Sequence, residues 1–334
     1  MKKILTVLVS LLMVLCLVGC GAKEEGTASG EGTAEVKEVK IGVAIYQFND
    51  NFMTLYRNNI QAYFDKLNAA DSSVHYSVEI VDGKNDPGTQ GEQINTFIAQ
   101  GVDALIVNLV QPSTIETVQD AAEAAGIPVV FINREPEDAE AHTYGKNQCY
   151  VGAKAQQSGT FQGEIVYDLP DHGDLNGNGT VDYVMIMGDV NNTDAQYRTE
   201  FSIGYLTDNG VKVNKLVEET GNWDQAQGQE IAANALSQHG NDIDVIFCNN
   251  DGMALGAYQA IVAAGRTVGK DIYLLGVDAL DECVEMVNNG TMTGTVLNDG
   301  DGQATAACDS VVAYLNGKTV ETYQYIPYVK VVKE

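Results

Sequence analysis

Polar and charged side chains follow several short apolar stretches of this chain, at the points where those stretches end. The first are Asp50 and Phe52, which come just after the mostly apolar, β-branched segment from Val39 to Ile45. Carboxylates and amides form hydrogen bonds of fixed geometry, whereas an aromatic ring offers a flat apolar surface. Such groups suit a sugar, which has hydroxyls at its edge and C–H groups on its faces. The residues of this kind are Asp50, Phe52, Asn133, Arg134, Asp194, Arg198, Asn250, Asp251, Asp278 and Asn298.

Each of these residues taken singly also fits a plainer interpretation, as a helix N-cap or a loop residue. Asp50 directly precedes a helical pattern, and Asp194, Asp251 and Asp278 suit the same role. The whole set favours a binding site, because caps alone do not require arginine or flanking aromatic rings. Trp223, the only tryptophan, lies just before a predicted helix, as Phe52 does. Spacing alone leaves open whether these two rings face each other.

A second group of oxygen-bearing residues lies in the segment 174–182. Its alternating residues are Asp174, Asn176, Asn178, Thr180 and Asp182, with Gly179 sixth, as in a calcium-binding EF-hand loop. The twelfth position, where that loop has a bidentate Glu, is Met185, and the segment 182–187 is typical of a strand. The spacing predicts either a Ca²⁺ site that lacks its final carboxylate or a solvated turn. If calcium binds, another Asp or Glu must come from elsewhere.

Patterns typical of enzymes are weak in this chain. The four histidines show no metal-ligand spacing, and the sequence has no Gly-x-Ser-x-Gly and no phosphate loop with Gly-Lys-Ser/Thr. Gly177-x-Gly179 does not follow a strand, so it is no dinucleotide-binding fingerprint. The sequence therefore predicts a binding protein with no catalytic residues.

Strands alternate with helices from Val39 onward, which predicts a mostly parallel, doubly wound α/β fold with right-handed crossovers. A second series of similar size begins near Ala153, so we expect two lobes of like topology. Open parallel sheets bind ligands at the carboxyl ends of their strands. The polar residues that follow the strands are therefore expected to meet at one place.

The composition argues against anionic partners and indicates the state of the cysteines. A formal net charge of −27 argues against binding of nucleic acid or anionic lipid by the folded part. Four cysteines remain beyond the first twenty residues, at widely scattered positions without a Cys-x-x-Cys spacing: Cys149, Cys248, Cys283 and Cys308. We expect buried free thiols in preference to disulfides.

The N-terminus has the features of an export signal. Lys2 and Lys3 precede the apolar run from Ile4 to Val18, and residues 1–19 are predicted to be a signal peptide. The ending Leu-Val-Gly-Cys resembles a bacterial lipobox, which implies lipidation of Cys20. Residues 20–37 would then form a flexible tether, and the protein would be anchored by lipid to the outer face of the cell membrane.

Taken together, these stretches resemble the galactose/glucose-binding proteins of bacterial sugar ABC transporters, within the type I periplasmic binding proteins. The resemblance covers essentially all of the segment 39–332. The matching stretches are Ile45-Tyr46 through Asp50-Asn51-Phe52-Met53, Phe131-Ile132-Asn133-Arg134-Glu135-Pro136, Asp194 to Arg198, Trp223-Asp224, Asn249-Asn250-Asp251, Gly276-Val277-Asp278-Ala279-Leu280 and Gly294-Thr295-Val296-Leu297-Asn298-Asp299.

The resemblance implies a pyranose stacked between Phe52 and Trp223 and ringed by polar side chains. The implied hydrogen-bonding set is Asp50, Asn133, Asp194, Arg198, Asn250, Asp278 and Asn298. Two positions depart from the family pattern, since Arg134 stands where Lys is frequent and Asn192 where His is frequent. Both remain in the predicted site, but they leave the exact sugar preference open. The family also carries a structural calcium loop, and Asp244 matches the position that would close it here.

The resemblance further implies lobes of residues 38–152 plus 299–326 and of residues 153–298 plus 327–334, joined by a three-strand hinge. The closed, ligand-bound monomer would deliver D-galactose or D-glucose to a membrane permease. Alternatives are a sensor that presents its closed form to a chemoreceptor or kinase, a binder of a pentose or other monosaccharide, and a glycosidase. A sugar-responsive repressor shares the fold, but the export signal argues against it.

Overall fold

The segment 37–45 forms a strand whose last five residues are all buried, as its apolar composition predicts. The computed structural model describes residues 36–136 and 142–333. In chain order the strands are β1 (Lys37–Ile45), β2 (Val74–Asp82), β3 (Ala104–Val107), β4 (Val129–Ile132), β5 (Gln148–Gly152), β6 (Val181–Met187), β7 (Val213–Thr220), β8 (Val245–Cys248), β9 (Tyr273–Leu275), β10 (Gly294–Leu297), β11 (Tyr323–Tyr325) and β12 (Val329–Val332). The predicted signal peptide, Cys20 and all but the end of the tether lie outside the described residues.

Helices follow most of these strands. They are α1 (Asn51–Ala70), α2 (Pro87–Ala99), α3 (Ile115–Ala125), α4 (Ala155–Tyr167), α5 (Thr193–Asp208), α6 (Gln225–His239), α7 (Asp251–Ala263), α8 (Asp281–Asn289) and α9 (Gly300–Leu315). Helix α1 shows the apolar spacing from which the helices are predicted. It buries Phe52, Met53, Tyr56, Ile60 and Phe64 at helical spacing. Each such side chain stabilises the fold by about 1.5–3 kcal/mol when it is fully removed from water. In the part of the chain that is described, no helix is long and apolar enough to cross a membrane.

The strands form two six-stranded sheets of matching order, β11-β5-β4-β3-β1-β2 and β12-β10-β9-β8-β6-β7. Within the sheets, β12 pairs antiparallel with β10, and the other pairs are parallel. The predicted two-lobe α/β fold is therefore confirmed. The chain crosses from one sheet to the other at three points, after Gly152 of β5, after Leu297 of β10 and after Tyr325 of β11.

The sequence did not reveal the short strands β5, β11 and β12 near those crossings. Strand β5 starts with Gln148 and ends with Gly152, and β11 reads Tyr-Gln-Tyr, so neither has a long β-branched run. For β5 and β11, pairing with neighbouring strands, and not composition, makes these segments strands. Within the described residues, the four cysteines are buried free thiols, as predicted.

Candidate functional site

A cavity lies where the carboxyl ends of the strands of both sheets meet. The residues around it are Tyr46, Asp50, Phe52, Asn133, Arg134, Asn192, Asp194, Arg198, Trp223, Asn250, Asp278 and Asn298. The fold thus gathers eleven of the twelve candidate residues around one space, all except Asp251. Except for Asn133, every lining residue is buried. Because each sheet contributes lining residues, both lobes close upon this cavity.

Asp50 serves at once as a helix cap and as a wall of the cavity. Its Oδ1 accepts a hydrogen bond from the Met53 N–H at 2.9 Å, which caps α1. Its Oδ2 accepts one from the Tyr46 hydroxyl at 2.5 Å. The cap and binding interpretations are therefore compatible, since a carboxylate has lone pairs beyond those two bonds. Tyr46 also lines the cavity, and its flat ring directly after β1 offers apolar surface beside Asp50, as its place in the sequence predicts, although the implied set of site residues omits it.

The loop after β4 brings Asn133 and Arg134 to the cavity. Asn133 adopts a left-handed backbone conformation with a φ of 64°, which asparagine tolerates better than most residues. Its carbonyl accepts a hydrogen bond from the Tyr150 hydroxyl at 2.7 Å, and its Oδ1 accepts one from the Asn108 amide at 3.1 Å. Its Nδ2 remains available to a ligand.

Arg134 lies over the Tyr46 ring, with its guanidinium carbon 3.6 Å from the ring centroid. Its Nη1 donates to the Val110 carbonyl at 2.6 Å and lies 3.9 Å from a carboxylate oxygen of Asp189 on the other lobe. A lysine could not stack in this planar fashion. The departure from the family pattern therefore creates an arginine–tyrosine wall and a charge contact across the cleft.

In the second lobe, asparagines and not aspartates cap the helices at the cavity. Asn192 caps α5 by accepting from the N–H of Asp194 at 2.7 Å. Asn250 caps α7 by accepting from the Met253 N–H at 2.9 Å, and its Nδ2 donates to the Trp223 carbonyl at 3.2 Å. The interpretation of Asp194 as a plain N-cap is therefore wrong, because the cap position is occupied two residues earlier.

Trp223 follows β7 in a left-handed conformation, with a φ of 65°. Its ring lies directly against the backbone of Gly188, where a Cβ would stand only 2.1 Å from the ring atom Cζ2. The absence of a side chain at Gly188 thus makes the space in which the indole sits. Phe52 lies in the first turn of α1 and belongs to the same apolar cluster as Trp223.

The guanidinium of Arg198 is held by three protein groups. Its Nε donates to the Ser158 hydroxyl at 3.2 Å, its Nη1 to the Asn249 carbonyl at 2.8 Å and its Nη2 to the Tyr328 hydroxyl at 2.9 Å. Its charged carbon also lies 5.6 Å from the Trp223 ring centroid. These contacts fix the plane of the group before any ligand arrives, which lowers the entropic cost of binding.

Three carboxylates and two guanidiniums share this buried space, and the pKa values of Asp194, Asp278 and Arg198 are shifted by burial and by neighbouring charges. Burial raises the pKa of Asp194, although Arg198 and Arg134 oppose the rise. Burial also raises the pKa of Asp278 well above its ordinary value; Arg198 opposes this, and the nearby charges of Asp251 and Asp50 add to it. For Arg198, burial disfavours the charge, but Tyr328, Asp194 and Asp278 outweigh it and raise the pKa. A ligand that donates hydrogen bonds to Asp194 and Asp278 would stabilise the charged forms of these two carboxylates.

Two buried nitrogen donors at the cavity have no protein acceptor among the described residues. They are Nη2 of Arg134 and Nε1 of Trp223. A buried donor without a partner costs about 1–3 kcal/mol, so native structures rarely leave one unsatisfied without a reason. The cavity therefore presents acceptor carboxylates, donor N–H groups and aromatic faces together. That combination suits a polyhydroxylated ring. The groups are engaged in fixed hydrogen bonds that do not form a nucleophile–base pair.

Asp278 and Asn298 complete the site at the ends of β9 and β10. Nδ2 of Asn298 donates to Oδ1 of Asp278 at 3.2 Å. Oδ1 of Asn298 accepts from Gln303 of α9 at 2.6 Å. This chain of bonds links the second lobe to a helix that packs on the first lobe. Asp251, by contrast, does not line the cavity; it is the first residue of α7 and fully buried behind Asp278.

The predicted calcium loop forms a turn between α4 and β6 in which carboxylates already accept hydrogen bonds. Asp174 accepts from the Asn178 N–H at 3.0 Å. Oδ1 of Asn178 accepts from the Thr180 N–H at 2.9 Å. Asp182 accepts from the side-chain amides of Asn178 at 2.7 Å and Asn214 at 2.6 Å. The loop is therefore held by hydrogen bonds to its own side-chain oxygens.

Asp244, which directly precedes β8, reaches this loop. It accepts from the N–H groups of Asn176 at 2.9 Å and Asp182 at 3.0 Å. Burial raises its pKa, and the like charges of Asp182 and Asp174 raise it further. Among residues 36–136 and 142–333, no group of three or more Asp, Glu, His or Cys side chains is arranged to hold a metal ion. The oxygen donors nevertheless fit calcium in kind, provided that Asn176 and Asn178 contribute their amide oxygens.

Comparisons with known proteins agree with this geometry. Residues 41–319 match the family described as the periplasmic binding protein domain. The chain is 34% identical over 324 residues to the D-galactose/methyl-galactoside binding periplasmic protein of Haemophilus influenzae, covering 92% of this chain and 93% of that protein. It is 35% identical over 294 residues to a candidate rhizopine-binding protein of Rhizobium meliloti, covering 88% and 90%.

A solved structure of an ABC transporter solute binding protein from Bacillus halodurans with bound myo-inositol is also similar. It superposes with a TM-score of 0.75 at 27% identity and covers 90% of this chain and 96% of that chain.

Proposed function

Because the chain belongs to the periplasmic binding protein domain family, we propose that it captures D-galactose or D-glucose between its two lobes for an ABC transporter permease. As a member of that family it is a sugar-binding component of a transporter and not an enzyme. That the sugar is a hexose is a more specific proposal than sugar binding itself. It is supported by the similarity to a galactose-binding protein and by the composition of the cavity.

The observation that carries the proposal is the pairing of unsatisfied donors with acceptor carboxylates in one buried cavity. Arg134 and Trp223 offer N–H groups, while Asp50, Asp194 and Asp278 offer carboxylate oxygens. A pyranose presents hydroxyls that both donate and accept, so it can satisfy both kinds of group at once. Its C–H faces suit the indole of Trp223, for the same reason that aromatic rings bind apolar surfaces.

Closure of the lobes follows from the same arrangement. The first lobe contributes Asp50 and Arg134, and the second contributes Arg198 and Asp278, so only the closed state offers the full set of contacts. A ligand shifts the equilibrium towards that state by its difference in affinity for the two states. The permease would then distinguish a loaded protein from an unloaded one by its shape.

A cyclitol is the second candidate ligand, because the similar solved structure from Bacillus halodurans holds myo-inositol. A cyclitol has the same ring of hydroxyls but no ring oxygen and no anomeric carbon. The lining residues Arg134 and Asn192, which depart from the galactose-binding pattern, are where the two ligands would be told apart.

The test is calorimetric titration of the purified protein with galactose, glucose, ribose, xylose and myo-inositol. We expect one-to-one binding of galactose or glucose, with a loss of affinity of about 30-fold or more in Trp223→Ala, since buried aromatic anchors contribute about 2 kcal/mol or more. The unmodified folding of each variant is checked by circular dichroism. Binding of myo-inositol alone would transfer the proposal to the cyclitol, binding of a pentose alone to a pentose carrier, and binding of none would refute the monosaccharide site.

We also propose that the loop around Asp174 binds one structural Ca²⁺, with Asp182 and Asp244 as further ligands. When bound, the ion would neutralise carboxylates that otherwise repel one another. Thermal unfolding with excess Ca²⁺ and with a chelator tests this. We expect a rise in Tm with calcium that is lost in Asp182→Ala and kept in Asp71→Ala, which replaces an exposed aspartate of the other lobe. Equal melting in calcium and chelator would refute the site.

The lipid anchor is a third proposal and rests on the Leu-Val-Gly-Cys sequence ending at Cys20. One acyl chain gives only marginal membrane binding, so stable anchoring requires diacylation at this residue. Expression in a bacterial host with a radiolabelled fatty acid should label the protein and place it in the membrane fraction. Cys20→Ala should abolish both the label and the membrane association; label that persists in that variant would contradict the assignment.

A further inference from the structure

Asp251 is a fully buried carboxylate directly behind the cavity. Its Oδ1 accepts a hydrogen bond from the Thr295 hydroxyl at 2.7 Å, and its Oδ2 accepts one from the Leu280 N–H at 2.9 Å. The Cys283 thiol also donates to it. The backbone of Gly276 lies so close that a Cβ there would stand 2.1 Å from Oδ1. The surrounding groups are therefore arranged to accommodate and satisfy this one side chain.

The turn that Asp251 contacts has an unusual backbone. Asp278 has a φ of 122° and Ala279 a φ of 53°, and residues with a side chain rarely adopt either conformation. Such strain persists only where neighbouring structure holds it, and it is concentrated at functional sites. Here the strained residue is Asp278, whose carboxylate lines the cavity.

Asp251 grips the turn on both sides of the strained pair. Its own N–H donates to the Val277 carbonyl at 2.6 Å, immediately before Asp278. Its carboxylate accepts from Leu280, immediately after Ala279. The first turn of α7 thus fixes the entry to and the exit from the turn. Relaxation of Asp278 to an ordinary φ would rotate its carboxylate away from the position that it now holds.

We propose that Asp251 is a positioning residue for ligand binding, which holds the strained turn so that Asp278 faces the ligand. The inference rests on the proposed function, because it assumes that the cavity binds a polyol. It assigns to Asp251 an effect on affinity that is transmitted through Asp278 alone. A purely architectural role, in which Asp251 fastens α7 to the sheet, would weaken binding whatever residue stood at position 278.

A double-mutant cycle separates these two roles. The dissociation constant for the sugar that the wild type binds best is measured for the wild type, Asp251→Asn, Asp278→Asn and the double variant. Asparagine keeps the shape but turns an N–H₂ group towards groups that donate, so it cannot satisfy the turn as the carboxylate does. We expect Asp251→Asn to weaken binding about 10-fold in the wild type and less than 2-fold when Asp278 is already replaced.

A pair of milder variants keeps the test valid if Asp251→Asn folds poorly. Thr295→Val removes the hydroxyl donor and should weaken binding by a smaller factor, again only when Asp278 is present. Thr295→Ser retains the hydroxyl and should restore wild-type affinity. The same loss in both backgrounds, or no loss with Asp251→Asn, would overturn the positioning role. Failure of the wild type to bind any of the five ligands would instead refute the proposed function.

Discussion

Substitution of Gly188 by alanine tests how closely the protein shapes the space around its only tryptophan. The added Cβ would stand 2.1–2.3 Å from three atoms of the Trp223 ring, whereas ordinary contacts begin near 3.4 Å. The indole or the end of β6 would therefore have to move by about 1.3 Å. Such overpacking costs about 1–3 kcal/mol.

If the ring moves, it moves within the ligand cavity, and the cost falls on binding. We expect Gly188→Ala to raise the dissociation constant by about 30-fold, which corresponds to about 2 kcal/mol. Because the chain has one tryptophan, its fluorescence reports on this position without any label. The titration therefore follows the emission of Trp223 as sugar is added, and the emission maximum of the free protein reports any displacement.

Gly204→Ala is the matched control in the same lobe. Gly204 lies in α5, and a Cβ there would meet nothing within 4 Å. We expect unchanged affinity and a gain in stability of about 0.5–1 kcal/mol, as for glycine replaced by alanine within a helix. An affinity for Gly188→Ala within 2-fold of the wild type, with unchanged emission, would refute the inference that this contact sets the position of the ring.

Two further predictions concern aspartates. Asp50→Ala and Asp86→Ala each remove an N-cap that accepts a backbone N–H, so each should lower the stability of the protein. Only Asp50→Ala should abolish tight sugar binding, and equal affinities would contradict the role of Asp50 in the cavity. Burial raises the pKa of Asp251 to about 7, and the facing groups are the Asp278 carboxylate and the thiols of Cys248 and Cys283. A raised pKa contributes stability that is complete at low pH and is lost as the pH rises through about 7, so acidification from pH 8 to 6 should stabilise the wild type more than Asp251→Asn, by a free energy on the order of 1 kcal/mol. Denaturant unfolding measures this at both pH values. An equal change in the free energy of unfolding between pH 8 and 6 in the wild type and in Asp251→Asn would refute that titration.

The sequence was most informative where one physical rule related a residue's position along the chain to its location in the fold. Polar residues such as Asn133, Asp194 and Asn298 each follow a predicted strand, and a parallel sheet brings those ends together. The grouping around one cavity therefore followed from local patterns and the topology rule. The two-lobe architecture followed in the same way from the repeated alternation of strand and helix.

What remained hidden depended on contacts between distant segments. Stacking of Arg134 on Tyr46 joins residues 88 positions apart, and no local pattern encodes it. The same holds for Asp251, which looks like an ordinary first-turn aspartate until the loop after β9 packs against it. The short strands near the crossings became visible only through their partners. Tertiary packing, and not propensity, decided all three.

The burial of the cavity separates how tightly a ligand is held from how fast it can exchange. Except for Asn133, the side chains that line the cavity are buried between the two lobes, so a bound sugar would be held by both lobes at once. Each exchange must therefore wait for the lobes to part, and the opening rate sets an upper limit on release. Changes at the crossings after Gly152, Leu297 and Tyr325 can alter residence time while every ligand contact stays intact. A permease that forces the lobes apart would shorten that residence time at the membrane, where release is useful, and leave it long everywhere else.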